Sequence, residues 1–459
     1  MPDDQLRPVA PGPLTRSLGL LGVLFLTLSV TTPASSVFVF VPDMLAAAGT
    51  GAIWAFVIAA IVCVATAFIY AELSSAWPVA GGEYVMVAQT LGPFAGFVML
   101  GVNVFNNLIF LPVAGLGISD VLSVVIPGLP QLPVALAVVA ACTVVGLFDI
   151  RLNAAITGCF LLLEVVTLVI VAWLGFGDAV RSPLAFLSHP VAGAALQPVS
   201  AASIGVATSI AIFALNGYGA AVYFGEEMHD ASARITRAIM LALVVTLALE
   251  GLPLLALLTA APDLAATFAG DNPFGAFVAE AGGSGLAKWV AVGVALAIVN
   301  AIIAWVLACA RFFYGTGRDN SWGRPIDGWL TAIHPRFGSP WLATLLLGGV
   351  GMALCFIDKA LLEVWSGTGL IAIYAGIAVA AMIGRRRGSS AHGRYRMPLY
   401  PLAPLITIAA LGYVVWTNWL DVATGRPALI ATALQIAVAA AYYRLVLRRR
   451  GAWTVHVPE

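Results

Sequence analysis

The sequence predicts an all-α integral membrane protein of about twelve transmembrane helices, and three observations predict it. Of the 459 residues, 61% are hydrophobic and only 10% charged, against about 25% charged in soluble domains. Apolar segments long enough to cross a hydrocarbon layer of about 30 Å recur along the whole chain. Finally, an even number of spans starting on the cytoplasmic side puts eighteen of the twenty-two arginines and lysines inside, Arg7 and Arg16 among them. Only Arg181, Lys288, Lys359 and Arg426 remain outside. One missed span would scramble that positive-inside alternation downstream, so both termini are expected to be cytoplasmic, in an inner-membrane protein.

The predicted spans are 18–45, 52–74, 88–118, 132–149, 153–175, 201–225, 237–261, 285–312, 341–357, 360–383, 401–420 and 427–447. They divide the chain into a tail of residues 1–17, a first five-span unit at 18–175 and an outside loop at 176–200. A second five-span unit at 201–383, a basic inside loop at 384–400, two further spans at 401–447 and a tail at 448–459 follow. The fourth and ninth spans are short, and Asp358 and Lys359 interrupt the run between the ninth and tenth. The start of the chain, with Asp3 and Asp4 before Arg16, lacks the short apolar run and cleavage site of a signal peptide.

Span one holds Ser29-Val-Thr-Thr-Pro-Ala-Ser-Ser36. Pro33 lacks a donor and crowds the carbonyl four residues earlier, so an unbroken helix there would strand polar groups in hydrocarbon at several kcal/mol each. Either the helix breaks to face a binding site, or this is a proline kink whose hydroxyls bond back to their own helix. Span six repeats the theme: Phe213-Ala-Leu-Asn-Gly-Tyr-Gly219 sets two glycines and an amide in an apolar helix, the composition of an unwound segment. The two breaks lie five spans apart, as two inverted five-helix repeats require.

Other polar residues in the spans are few. Asn103, Asn106 and Asn107 share one face of span three and serve either interhelical hydrogen bonds or a pore. Glu164 stands alone in span five; it is a proton-site candidate or a protonated acid making one structural hydrogen bond. Glu250, before Gly251 and Pro253 in span seven, is a weaker candidate of the same kind. Glu226, Glu227, Asp230, Arg234 and Arg237 after span six read as a solvated cap or gate network without substrate contact. The five cysteines, Cys63, Cys142, Cys159, Cys309 and Cys355, fall in apolar segments with no CxxC pair, so neither disulfide nor metal nor other cofactor is expected. No nucleic-acid footprint and no ATPase motif is present. An intramembrane enzyme lacks its catalytic set, because His189, His229, His334, His392 and His456 all lie in predicted loops or tails.

Two motifs resemble the amino acid, polyamine and organocation transporter superfamily. Ala71-Glu-Leu-Ser-Ser-Ala-Trp-Pro-Val-Ala-Gly-Gly-Glu-Tyr84 is similar to the loop after that family's second helix. The stretch from Phe213 to Ile239, with Asn216-Gly217, Glu226-Glu227 and Arg234-Ile-Thr-Arg-Ala-Ile239, is similar to its sixth helix and the loop beyond. The resemblance implies a LeuT-like fold, two inverted repeats of five helices with broken helices one and six, plus two additional helices. It also implies a secondary transporter of an amino acid or small amine working by alternating access. Amides of the first break would bind a carboxylate and carbonyls of the sixth an amino group. Carried over, those positions are Thr32, Ala34, Ser35 and Ser36, with Thr31 beside them, and Phe213, Ala214, Leu215, Asn216 and Gly217. The first break departs from many relatives in holding no glycine, so its hydroxyls are expected to take part. Glu164 stands at or beside a position where some relatives carry a lysine in place of sodium. Span eight has no serine or threonine between Leu286 and Ala310 to complete a sodium site. The expectation is therefore proton coupling without sodium. An amino acid/amine exchanger and a non-transporting nutrient sensor remain as alternatives.

Overall fold

A helix that begins at Leu20 cannot run past Thr32, because Pro33 offers no amide and pushes the preceding residue out of the α region. In the computed structural model, α1 (Leu20–Thr31) ends there. Thr32 adopts a left-handed conformation, φ 43° and ψ 67°, and its amide closes the helix on the Leu28 carbonyl at 2.9 Å. Pro33 then opens α2 (Pro33–Val39), and α3 (Val41–Ala48) follows with Pro42 in its own first turn. The described residues are Leu14 and 16–456, except 123, 124, 127, 271, 424, 452 and 454. Most of the predicted N-terminal tail, with Asp3, Asp4 and Arg7, and the last residues of the C-terminal tail lie outside them.

The chain continues through α4 (Ala52–Ala76), α5 (Glu83–Leu91), α6 (Pro93–Leu122), α7 (Gln131–Gly146), α8 (Ile150–Gly177) and α9 (Pro183–Ser188). A two-residue hairpin, β1 (Val191–Ala192) against β2 (Gln197–Pro198), contains the only strands among the described residues and lies in the 176–200 loop. Next come α10 (Ala201–Ala214), a 3-10 segment (Tyr218–Glu227), α11 (Ala231–Ala260), α12 (Leu264–Ala269) and α13 (Pro273–Arg318). The last elements are α14 (Ile326–Leu330), α15 (Trp341–Leu354), α16 (Lys359–Arg387), α17 (Leu402–Leu420) and α18 (Gly425–Tyr442), which runs through a π turn into α19 (Arg448–Arg450).

Nine helical stretches among the described residues are long and apolar enough to cross a membrane. The first, Leu20–Ala76, spans 57 residues, and two shorter apolar helices, α7 and α15, accompany the nine. These two are the segments that looked short in the sequence; at 16 and 14 residues they reach about 24 and 21 Å. Helix α13 is the spine. It packs against α1, α2, α6, α7, α8 and α15, and from Ala301 to Ala310 every side chain is buried. Helices α17 and α18 sit at the periphery, with Trp416 60% and Leu434 64% exposed, as suits residues that meet lipid rather than protein. The Trp365-to-Gly369 stretch, despite its two glycines, lies inside the continuous α16.

Candidate functional site

The two helix breaks touch. Gly217 follows α10 with φ 120°, a conformation that favours glycine, and a Cβ built there would lie 2.7 Å from Thr31 Cα. No side chain fits between the two backbones. Ser36 Oγ donates to the Ala214 carbonyl at 2.9 Å, tying α2 to the end of α10. Behind this junction α13 supplies two more ties: Asn300 donates to Ser29 Oγ at 2.9 Å, and the Thr32 hydroxyl lies 3.5 Å from the Ala297 carbonyl.

A cavity of about 100 Å³ opens beside the junction. Of the residues expected from the sequence, Thr31, Thr32, Ser35, Ser36, Phe213, Ala214, Asn216 and Gly217 line it. Ala34 and Leu215 do not; both are fully buried, on the far side of their turns. Nor does Glu164, fully buried on α8, which instead accepts the Ala34 amide at 2.8 Å. The Ala34 amide, which the resemblance assigns to a substrate carboxylate, here donates to a carboxylate of the protein itself at that half-helix N-terminus, where an anion is favoured.

The hydroxyls divide in the same way. Thr31 Oγ1 bonds back to Thr27 at 2.9 Å, as the kink reading predicts, and Ser36 is engaged with Ala214. The Ser35 hydroxyl has no hydrogen bond within the described residues, and the residue is part exposed and lines the cavity. Asn216 Oδ1 accepts from the Tyr374 hydroxyl of α16.

Three further lining residues with polar side-chain groups, Trp305, Ser366 and Lys359, were given no site role by the sequence. Trp305 of α13 donates its indole N–H to the Asn107 carbonyl at 2.9 Å, which turns the ring toward the cavity. Ser366 of α16 donates to Asn106 Oδ1 at 3.3 Å. Lys359 sits at the start of α16, with Nζ 3.6 Å from where a Gly117 Cβ would be. The amide spacing on α6 signalled Asn106, but nothing local distinguishes Lys359 from an ordinary loop cation. The three α6 amides realise both open alternatives: Asn106 lines the cavity, whereas Asn103 crosses to Glu83 Oε2 at 2.8 Å. Phe40 and Phe213 meet edge-on at 5.1 Å and also line a neighbouring cavity of about 300 Å³.

At the arginine-rich end of the bundle the chemistry changes. The connection at residues 77–82 is short and buried, and a Cβ on Gly225 would strike Pro78 backbone at 2.7 Å. Glu83 just beyond it has no cation; it accepts from Tyr70, Tyr223 and Asn103 at 2.9, 2.9 and 2.8 Å. The acidic pair after α10, expected to be solvated, is not. Glu227 is 2% exposed and paired with Arg311, itself 1% exposed, and Glu226 pairs with Arg318 at 2.5 Å. Asp230, paired with Arg394 at 3.0 Å, is a surface group, as are Arg234 and Arg237. Asp319 accepts from Tyr84 at 2.8 Å and from the His456 amide of the C-terminal tail at 3.1 Å. Burial pushes its carboxyl above the ordinary range, against the pull of the Arg318 guanidinium. Glu72 holds Arg385 through two bonds, 2.8 and 2.6 Å.

Comparison with known proteins gives the family. Residues 18–441 match the family described as amino acid permease. An uncharacterized transporter of Mycobacterium tuberculosis is 30% identical over 97% of this chain and 94% of its own length. A branched-chain amino acid permease of Bacillus subtilis is 23% identical over 89% of this chain and 90% of its own. A serine/threonine exchanger of the same organism is 23% identical, covering 88% and 91%. This chain, with its apolar helices and paired helix breaks, thus belongs to the amino acid permease family of the amino acid, polyamine and organocation superfamily and is an integral membrane protein.

Proposed function

We propose that the protein is a secondary transporter that moves an amino acid, or a small amine of similar size, across the cytoplasmic membrane by alternating access. The observation that carries this reading is the contact of Gly217 with Thr31, which joins two helix breaks beside a cavity. Freed backbone groups at such breaks suit a small zwitterion. The LeuT-like reading takes twelve crossings in two inverted units of five plus α17 and α18. It divides the 57-residue first stretch into two spans and counts α7 and α15 as spans. The arginine-rich end, with both termini, is then cytoplasmic.

Much of the lining is apolar, with Val30, Val39, Phe110, Ile298 and Leu370 around the polar junction. A neutral amino acid side chain fits it best, in keeping with the branched-chain permease among the relatives. In this reading Ser35, Ser36, Asn216 and the backbone of Phe213, Ala214 and Gly217 contact the polar end of the substrate. Glu164 carries the coupling proton, with its protonation state felt by α2 through the Ala34 amide. The absence of serine and threonine from the Leu286-to-Ala310 part of α13 supports sodium independence.

Purified protein in liposomes, given labelled L-isoleucine and imposed gradients, tests this. Accumulation is expected under an inward pH gradient without sodium, and Ser35→Val should weaken it. A strict sodium requirement at equal pH would overturn the coupling, and binding without flux would make the protein a sensor. The serine/threonine exchanger among the relatives favours a second reading, obligatory exchange. That reading holds if efflux requires an amino acid on the opposite side.

A further inference from the structure

The motif that follows α4 carries a buried carboxyl that three neutral donors hold. Glu83 opens α5 directly after Gly81 and Gly82, and it is 4% exposed. Its Oε1 accepts from the Tyr70 hydroxyl of α4 at 2.9 Å. Its Oε2 accepts from the Tyr223 hydroxyl of the 3-10 segment at 2.9 Å and from Asn103 Nδ2 of α6 at 2.8 Å. All three donor residues are buried. Two glycines make room for the rings: a Cβ on Gly82, at φ 61°, would lie 2.6 Å from the Tyr223 ring, and one on Gly219 would lie 2.8 Å from the Tyr70 ring. Three separate elements thus meet on one carboxyl.

Among the described residues no arginine or lysine pairs with Glu83. The arginines of this end, Arg311, Arg318 and Arg385, are committed to Glu227, Glu226 and Glu72. Arg387 of α16 donates to the Thr90 carbonyl near the other end of α5, seven residues from Glu83, about 10 Å. Tyr84, the next residue, turns to Asp319 at 2.8 Å. The titratable side chains that feel the Glu83 charge are Tyr70 from α4, Tyr223 from the 3-10 segment, Tyr374 from α16 and Cys309 from α13. These types are ordinarily uncharged at neutral pH, and from α6 the facing group is the Asn103 amide. Burial pushes the Glu83 carboxyl above its ordinary range, against the pull of its own amide and the three donors. An acceptor for a proton on Glu83 is also in place, because Asn103 Oδ1 is buried and has no partner. Half a turn about the Asn103 Cβ–Cγ bond exchanges the donor for that oxygen, so a protonated Glu83 can donate where the anion accepted.

We propose that Glu83 is a proton-binding site that latches the arginine-rich end of the bundle. As an anion it holds α4, the 3-10 segment and α6 together through charge-assisted hydrogen bonds. On taking a proton from cytoplasmic water it becomes a donor to Asn103 and loses the charge that strengthened its bonds to Tyr70 and Tyr223. The 3-10 segment is then free to part from α6. The latch also reaches the cavity. Tyr374 donates to the cavity-lining Asn216, and its ring meets Tyr70 edge-on at 6.0 Å. A substrate that engages Asn216 therefore acts on a neighbour of the tyrosine that holds Glu83. The role in transport rests on the alternating-access reading above, whereas proton binding at Glu83 does not and is separate from that at Glu164.

Infrared titration of the full-length protein in lipid vesicles tests the site without any transported substrate. Wild type should gain carboxylic C=O absorption as pH falls, and Glu83→Gln should lack part of that gain. A titration that Glu83→Gln leaves unchanged overturns the proposal. Glu83→Asp, which keeps an acid, should retain a titrating band and serves if the Gln variant does not fold. The latch is read at Cys309, a buried thiol 3.7 Å from the Asn107 carbonyl, one turn along α6 from Asn103. Its modification by a maleimide in the same vesicles should be about tenfold faster in Glu83→Gln than in wild type at neutral pH, as a tenfold gain in local opening would make it. The ratio of the two rates should fall toward one as pH is lowered and wild type takes up its proton. Equal rates at neutral pH, or a ratio that pH does not move, reduce Glu83 to a structural group and overturn the latch. Transport of labelled L-isoleucine is read separately. If Glu83 titrates and gates Cys309 but no accumulation follows a pH gradient, the site stands and the proton-coupled reading fails. If accumulation is pH-driven while Glu83→Gln titrates and labels as wild type does, that reading stands and the latch fails.

Discussion

The helix breaks and the arginine-rich end of the same bundle bury polarity in opposite ways. Around the breaks the side-chain ties run through neutral donors: Ser36 to Ala214, Asn300 to Ser29, Tyr374 to Asn216. At the other end they run through guanidinium and carboxylate, Arg311 to Glu227, Arg318 to Glu226 and Arg385 to Glu72. A neutral bond is worth about 1 kcal/mol net and can be exchanged for another or for water. A buried ion pair is different, since removing one partner strands a charge at about 3–5 kcal/mol. The difference teaches that the breaks can rearrange cheaply, whereas the charged end opens only when whole pairs part together.

The largest effect that sharpens this contrast is expected from Arg311→Met. It leaves Glu227 buried and unpaired, so the melting temperature in detergent should fall by an amount equivalent to about 3–5 kcal/mol. Adding Glu227→Gln should restore most of that loss, and no recovery would mean that the charge pair is not the cause. Next is Gly217→Ala. Its methyl must enter at 2.7 Å from Thr31 Cα on a backbone at φ 120°, a strain of about 1–3 kcal/mol. Isoleucine uptake should drop roughly tenfold, the rate equivalent of about 1.4 kcal/mol, and unchanged uptake would dissolve the claim that the breaks must touch. Ser36→Ala should cost only about 1 kcal/mol of stability, the worth of one neutral bond, measurable by denaturant titration. A loss as large as that of Arg311→Met would erase the contrast between the two ends.

The smallest expected effect concerns pH. Burial raises the Asp319 carboxyl above its ordinary value of 3.8, so the folded chain binds its proton more tightly than the unfolded one. That contribution to stability is complete below 3.8 and is lost as pH rises through the raised folded value. Asp319→Asn has no such loss. The melting temperature of wild type relative to the variant should therefore decline as pH rises from about 3.8 through that window. A constant difference across the window would show that Tyr84, Arg318 and the His456 amide offset the burial completely.

How much could be read beforehand differs from residue to residue. The break at Pro33 was legible because a missing amide and a crowded carbonyl are local consequences of proline. The looseness around Gly217 was legible because glycine is the residue that tolerates its φ. Lys359 was not, since its cavity is made by α6 and α16, which lie more than two hundred residues apart in the chain. Glu226 and Glu227 looked like a solvated cap because acidic pairs usually are; their burial depends on Arg311 and Arg318 from a distant helix. Glu250 read as a weaker candidate of the same kind as Glu164, a proton site or an acid making one structural hydrogen bond, yet both its oxygens are unpartnered.

By itself the sequence determined the apolar helices, the two breaks and the family to which the chain belongs. Each of these follows from backbone chemistry and hydrophobicity along a single stretch. Only the tertiary structure decided that the Ala34 amide is capped by Glu164 rather than left open, that Ser35 keeps a hydroxyl free, and that Glu250 is buried without a hydrogen-bond partner. Those outcomes depend on which faces of α2, α8 and α11 turn inward. Pairwise packing of three nearly uniformly apolar helices sets that choice, and no periodicity in any one of them records it.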